Sequence, residues 1–475
     1  MSSSAEIGIA DQDKVTMGSK PRLPLSSRVG YGLGDLACVL VFTGMSSYLA
    51  LFYTDAVGIS ASVAGLIILG ARLLDGIFDA AVGAVSERTR SRWGRFRPWI
   101  MFGALPLGVF AALTFTAPFP GDTAAAVIWA VVTYGVCGLV YSIVNVPYAA
   151  LSGVMAETPA DRVSMNSMRF ALGSIGLVAT SVVTLPLVGA FGGSSGTPIS
   201  IQGFTFTAAM FAVIAVILFF VTYRTSRETV KPVRTDRVPF KETLSAIFTN
   251  GPLFLVAVLT ILGGVAFYSR LGVIVYYYIY SANAAPLVPL LIPLSPVAAL
   301  VGSLVFSRFA RRIGKRNLFI IGMAVQVVAL TALFFVDPAN LGVVIVLTVV
   351  HGLSGFTIPL TYSMVADAAD YGEYKSGVRA DGISFALVSI AQKLAFAVGG
   401  ASVLLIGIFG YQPNVQQTSE ALQGINFVVN LFPAIIGLIA ILTALAYRIT
   451  DAQAAQIRTD LNTGTIAVAK ATRRG

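Results

Sequence analysis

The sequence predicts an all-α membrane protein: twelve transmembrane helices in two six-helix halves. Three observations carry this: an apolar composition, the recurrence of helix-length apolar runs, and an echo between the first and second halves of the chain. The 475 residues are 56% hydrophobic and 11% charged, with a mean hydropathy of +0.82. A soluble globular chain carries roughly 25% charged residues. Crossing a bilayer as a helix takes about 20 apolar residues. Such runs fall at about 29–54, 61–86, 98–117, 124–152, 164–191 and 203–223, then at about 250–281, 286–307, 317–336, 341–366, 381–410 and 425–447. A membrane β-barrel would show alternating segments of about ten residues instead.

The longest polar interruption, 224–249, holds six basic residues with Pro232 and Pro239. It divides the chain into a tail (1–26), a first bundle (27–223), a central loop (224–249), a second bundle (250–449) and a C-terminal tail (450–475). The halves echo each other at nearly one offset. "RWGRFRPWI" (92–100) is answered by "RIGKRNLFI" (312–320), "FALGSI" (170–175) by "FALVSI" (385–390), and "VMAE" (154–157) by "MVAD" (364–367). Each pair falls on counterpart helices or loops, as a duplication requires. Glycines and intrahelical prolines such as Pro147, Pro186 and Pro359 suit close packing and bending.

The net charge of +10 does not signal a nucleic-acid partner, because of where the charge lies. Of 32 Lys and Arg residues, 28 fall in the termini and in alternate loops; the other four, Arg72, Arg169, Arg270 and Lys393, lie within helices. This bias predicts that both termini are cytoplasmic in a cell (inner) membrane, with the basic face touching anionic lipid. The first 26 residues lack the apolar core of a signal peptide. Cys38 and Cys137, both in apolar segments, are expected to be packing residues. The single histidine, His351, is expected to be packed or hydrogen-bonded. No phosphate-binding loop, metal-ligand cluster or nucleophile–base arrangement is present, so the sequence does not predict an enzyme or a cofactor.

The second helix contains "ARLLDGIFDAA" (71–81). Arg72, Asp75 and Asp79 are spaced by three and four, which puts them on one helical stripe. Each charge at bilayer depth costs at least about 2.5–3.5 kcal/mol. The stripe should therefore face the bundle interior, either as a structural ion pair or as a site. One arginine cannot cancel two carboxylates, and two aspartates suit Na+ or a proton. Asp35, Asn145, Arg169, Arg270 and Lys393 are further intramembrane polar residues, and Tyr276, Tyr277, Tyr278 and Tyr280 crowd helix 7. Aromatic faces with bidentate donors suit a sugar; Tyr280 is expected in an interfacial belt. Arg270 alone could pair with Asp35 or with an aspartate of helix 2. After helix 10, "ADAADYGEYKSGVRADG" (366–382) carries Asp367, Asp370 and Glu373 opposite in sign to basic loops that include Arg95 and Arg379. It is either a solvated acidic turn or a cytoplasmic ion-pair lock that holds an outward-open state and breaks on inward opening.

At these residues the sequence resembles the glycoside–pentoside–hexuronide:cation symporters, the melibiose-permease family of the major facilitator superfamily. The matching stretches are "YGLGD" (31–35), "FYTDAVGIS" (52–60), "ARLLDGIFDAAVG" (71–83), "TRSRWGRFRPWI" (89–100), "NVPYAALSG" (145–153), "ADAADYGEY" (366–374) and "GYQPNVQQ" (410–417). The resemblance implies a major facilitator fold, a small-molecule sugar as substrate, H+ or Na+ as coupling ion, and function as a monomer. It puts the cation site on Asp75 and Asp79 with Ser142, Ser389 and Lys393, and the sugar site on positions that include Asn145, Arg169 and Lys393. With Asp35, Arg72 and Arg270 these are the candidate substrate residues.

The departures point within the family. The lysine–aspartate pair of the melibiose type is Cys38 and Val39 here, its helix 4 aspartate is Asn145, and a nearby tryptophan is Ala149. The pattern looks more like the xyloside and glucuronide branch, with Arg270 available to a hexuronide carboxylate. Phe78 replaces the polar residue that sodium users have before the second aspartate, which favours a proton. The competing expectations are a cation-coupled lysolipid or other amphiphile carrier on the same scaffold, and a non-transporting sugar sensor.

Overall fold

The computed structural model describes residues 23–156, 158–192, 199–229, 250–306, 309–376 and 381–462. Among them twelve helices are long and apolar enough to cross a membrane. The first six are α1 (Leu25–Ala56), α2 (Ala61–Arg88), α3 (Arg97–Thr114), α4 (Thr123–Met155), α5 (Ala160–Phe191) and α6 (Ile201–Thr225). The second six are α7 (Gly251–Ser281), α8 (Ala285–Phe306), α9 (Lys315–Phe335), α10 (Leu341–Lys375), α11 (Ser384–Ile408) and α12 (Ser419–Leu445). A short amphiphilic helix, α13 (Asp451–Asn462), follows.

Helix starts follow from local chemistry. Ser60, Asp122, Thr158, Ser200, Asn250 and Thr418 each accept a hydrogen bond from a backbone N–H of the first turn. These bonds satisfy donors that no carbonyl of the same helix can reach. One boundary departs from expectation. The acidic stretch after residue 366 is helical through Ser376, not a turn. Asp367 and Asp370 are paired with neighbours described below, so the helix can run on past its apolar part.

The packing repeats with a shift of six helices. In the first half α1 packs on α5 and α6, α3 on α4 and α6, and α2 on α4. In the second half α7 packs on α11 and α12, α9 on α10 and α12, and α8 on α10. The halves meet through α2 with α11, α1 with α7, and α5 with the start of α8. Both described chain ends lie at one face of the bundle, here the terminal face; the opposite one is the distal face. One buried apolar core crosses between the halves near the distal face, from Leu51 and Phe52 to Tyr276 and Val403. A second core, with Leu253, Phe319, Met364 and Tyr447, belongs to the second half alone. At the distal crossing α2 and α11 touch at Gly65, where an added Cβ would come within 2.6 Å of the Leu404 Cβ.

Candidate functional site

Two polar groups lie on the inner faces of the helices that line the junction. The first belongs to the first half. Arg169 of α5 donates to Asp35 of α1 at 2.7 Å. Its guanidinium also lies 5.5 Å from the ring centre of Tyr148, which stacks on Tyr31 at 4.8 Å. Asn145 of α4 accepts a weak bond from the Cys38 thiol at 3.6 Å. Two residues later Pro147 lacks the N–H that would bond the Ile143 carbonyl, which loosens α4 beside this group.

The second group spans the halves. Ser142 of α4 donates to Asp75 at 2.5 Å, and Arg72 lies 3.9 Å from the same carboxylate. Four residues on, Asp79 forms an ion pair with Lys393 of α11. The stripe predicted on helix 2 is thus one face, but its two aspartates have different partners. Asp75 is served from its own half and Asp79 from the other. Arg72 rests against a pair of rings: Phe42 of α1 and Phe396 of α11 each lie 4.8 Å from its guanidinium carbon. Those rings are themselves 4.9 Å apart. Such cation–π contacts are worth about 0.5–2 kcal/mol each and offset part of the cost of a charge at this depth. Gln392, adjacent to Lys393, donates to Tyr268 of α7 at 2.8 Å, and Tyr268 packs edge-on against Phe396. Ser389 is exposed, one turn before Lys393, and bonds neither aspartate.

Other predicted residues sit elsewhere. Arg270 stands apart from both groups, buried inside the second half against Asn430 of α12 and Thr348 of α10. It pairs neither with Asp35 nor with helix 2. At the terminal face, Lys315 donates to Asp367 at 2.5 Å, and Arg458 of α13 lies 3.1 Å from Asp370 and 3.7 Å from Asp367. Arg95 approaches Glu87 at 3.7 Å, while the backbone N–H groups of Arg95, Phe96 and Arg97 donate to Glu228. All of these contacts stay within one half. Glu373 is half-buried, and Arg379 lies outside the described residues.

The sequence reading did not single out the Phe42–Phe396 ring pair. Its available signal was that Phe396 lies three residues after Lys393, on the same face. Nor did it single out the distal cluster. A π-helical turn, Phe52–Ala56, ends α1 and turns Asp55 inward, where it is 4% exposed. Tyr280 of α7 donates to Asp55 at 2.6 Å, and Tyr411, between α11 and α12, donates at 2.5 Å. Asn414 donates to the Asp55 backbone carbonyl at 2.5 Å, and the Thr54 and Tyr276 hydroxyls lie 2.9 Å apart. Asn414 holds φ at 59°, a left-handed conformation that asparagine tolerates. Tyr280 therefore does more than the interfacial belt expected of it. The signal was present: a lone acid at the end of helix 1 and a crowd of tyrosines at the same level of helix 7.

The family profile described as MFS/sugar transport protein matches residues 30–451. The isoprimeverose transporter of Lactiplantibacillus pentosus is 36% identical over 86% of this chain and 85% of its own length. The glucuronide carrier protein homolog of Escherichia coli strain K12 is 29% identical over 91% of this chain and 94% of its own. Among solved structures, the nucleoside transporter NupG superposes with a TM-score of 0.61 at 13% identity, covering 89% of this chain and all of that one. A bacterial homolog of the human lysosomal transporter Spinster, described as inward-facing and unoccupied, superposes with a TM-score of 0.65 at 11% identity, over 92% of this chain and 97% of that one. At such identities the two structures speak to the fold alone.

Proposed function

Because the chain belongs to the glycoside–pentoside–hexuronide symporter family within the major facilitator superfamily, a family of multi-pass sugar transporters and not of enzymes, we propose that it imports a glycoside, pentoside or hexuronide together with a monovalent cation, a proton ahead of sodium. The observation that carries this reading is the ion pair from Asp79 to Lys393 across the junction, one turn from the Asp75–Ser142 bond. In it the Lys393 ammonium takes the place beside Asp79 that a coupling cation would take. A proton or Na+ arriving at Asp79 frees Lys393, and with it the inner face of α11, to engage a sugar hydroxyl. By linkage the sugar then raises cation affinity by the same factor. The Asp35–Arg169 pair and Asn145 form the opposing wall, with bidentate donors for hydroxyls and tyrosine faces for the sugar ring.

The distal closure and the within-half pairing at the terminal face support an inward-open state, with the terminal face cytoplasmic. On that reading, Asp367, Asp370 and Glu373 meet the basic loop 87–98 only when the terminal face closes. The names of the isoprimeverose and glucuronide relatives favour a xyloside or hexuronide. The protein works as a monomer in this reading, with lipid headgroups against its basic face.

The test is external pH in a de-energised cell suspension as xylosides, glucuronides and galactosides are added with and without sodium. Alkalinisation with xylosides or glucuronides is expected. Sodium-stimulated uptake without a pH change would replace the proton by sodium, and no uptake of any sugar would overturn the reading.

A further inference from the structure

Arg270 lies outside the site described above, and its surroundings leave a chemical deficit. It is 2% exposed, within α7. A guanidinium carries five N–H donors and no acceptor. One N–H goes to the Asn430 side-chain oxygen and one to the Thr348 hydroxyl at 3.0 Å. The Nε is buried with no partner. No carboxylate of the described residues forms an ion pair with Arg270, unlike Arg72, Arg169 and Lys393.

The same guanidinium lines a small cavity between α7, α8 and α10, together with Tyr278, Ser295, Thr348 and His351. His351 is 1% exposed and stacks on Phe267 at 5.7 Å and 11°. Its Nδ1 lies 3.1 Å from the Ser295 hydroxyl, and its Nε2 is buried without a partner. When Ser295 donates to Nδ1, the neutral ring carries its hydrogen on Nε2. The cavity wall then holds a full positive charge and at least two unanswered donors, and it lacks negative charge. A buried cation without a counter-charge is costly. The free space is about 20 Å³, room for one water-sized sphere and far too little for a sugar ring.

We propose that the second half holds a small monovalent anion of the halide class between Arg270 and His351. Such an ion, a sphere somewhat larger than a water molecule, answers donors from several directions, needs no directed lone pairs, and supplies the missing charge. A water molecule would fill the space and accept hydrogen bonds but leave the charge unbalanced. Every residue of the pocket comes from the second half. The anion therefore travels with that half as a fixed part and is not exchanged in the transport cycle.

The test uses the purified full chain and no sugar, so it stands or falls separately from the transport reading. Thermal unfolding is compared in chloride, bromide and gluconate at equal ionic strength, and bromide is located by anomalous scattering. A halide-specific rise in midpoint and one bromide peak between Arg270 and His351 are expected. His351→Phe keeps the stacking on Phe267 and removes the donor; it should weaken halide affinity about tenfold and leave the gluconate midpoint near wild type. His351→Gln, which restores an N–H, should recover part of the loss, and Arg270→Gln should abolish the halide effect. Equal midpoints in chloride and gluconate with no bromide peak would leave an ordered water only and overturn the proposal. Unchanged halide affinity in the folded His351→Phe protein would overturn it too.

Discussion

At the distal face the Asp55 carboxylate of the first half accepts hydroxyl hydrogen bonds from Tyr280 and Tyr411 of the second. At the terminal face Asp367 and Asp370 spend their charge on Lys315 and Arg458 of their own half. In both clusters the acids are largely buried, yet only the distal one joins the halves. The difference lies in the partner. Hydroxyl donors leave a net charge that water readily solvates when the contact opens, so a distal bond can be made and broken in a cycle. An ion pair within one half need not break when the halves move against each other. Between the two faces, the Asp79–Lys393 pair is ionic and also crosses the halves. In the proposed mechanism a coupling cation has to displace it.

This contrast can be broken at chosen points. The largest effect is expected from Asp79→Asn. It leaves Lys393 without its counter-charge and should cut concentrative uptake roughly 100-fold while sparing some exchange of labelled for unlabelled sugar. Full uphill transport by the variant would remove the coupling role. Next is Asp55→Asn, which replaces a charged acceptor by a neutral one. Labelling of a cysteine placed at Ser46, in a background with Cys38→Ser and Cys137→Ala, reads access from the distal side. It should rise about 30-fold; no change would mean that the apolar core alone holds that face. Tyr411→Phe deletes one donor and should raise the same labelling about tenfold.

Arg458→Ala sharpens the comparison from the other side. Its ion pairs are partly exposed and within one half, so distal labelling should change less than about threefold. A change as large as that of Asp55→Asn would show that the faces are coupled through α10. The smallest effect is that of pH. Burial, and then the neighbouring Asp55 carboxylate, push the Tyr411 hydroxyl well above the usual tyrosine range. A raised value keeps the donor protonated, so its contribution is intact below about pH 10 and lost only above it. Distal labelling that, once normalised to the thiolate fraction of the probe cysteine, still varied between about pH 6 and about pH 9 would point to another titrating group in the protein.

The helices, their number and the duplication were legible in the chain, because a bilayer imposes length and polarity on each segment independently of its neighbours. The Arg72–Asp75–Asp79 stripe was legible for a similar reason: three residues on one helix face need only the helical repeat. Partner choice was not. Arg270 and Arg169 look alike as single arginines in apolar runs, but α5 brings Arg169 to Asp35 while α7 turns Arg270 toward α10 and α12. Nothing local to Asp55 names its partners; the π-helical turn points it at tyrosines more than two hundred residues away in sequence. Asp367 and Asp370 looked able to reach across the halves, and Lys315 and Arg458 held them back. The cost of placing a charge in a membrane is fixed by the residue and its depth, so sequence alone reveals that a partner is needed. Which partner meets it depends on how helices rotate and cross, and that is decided only when all twelve are packed.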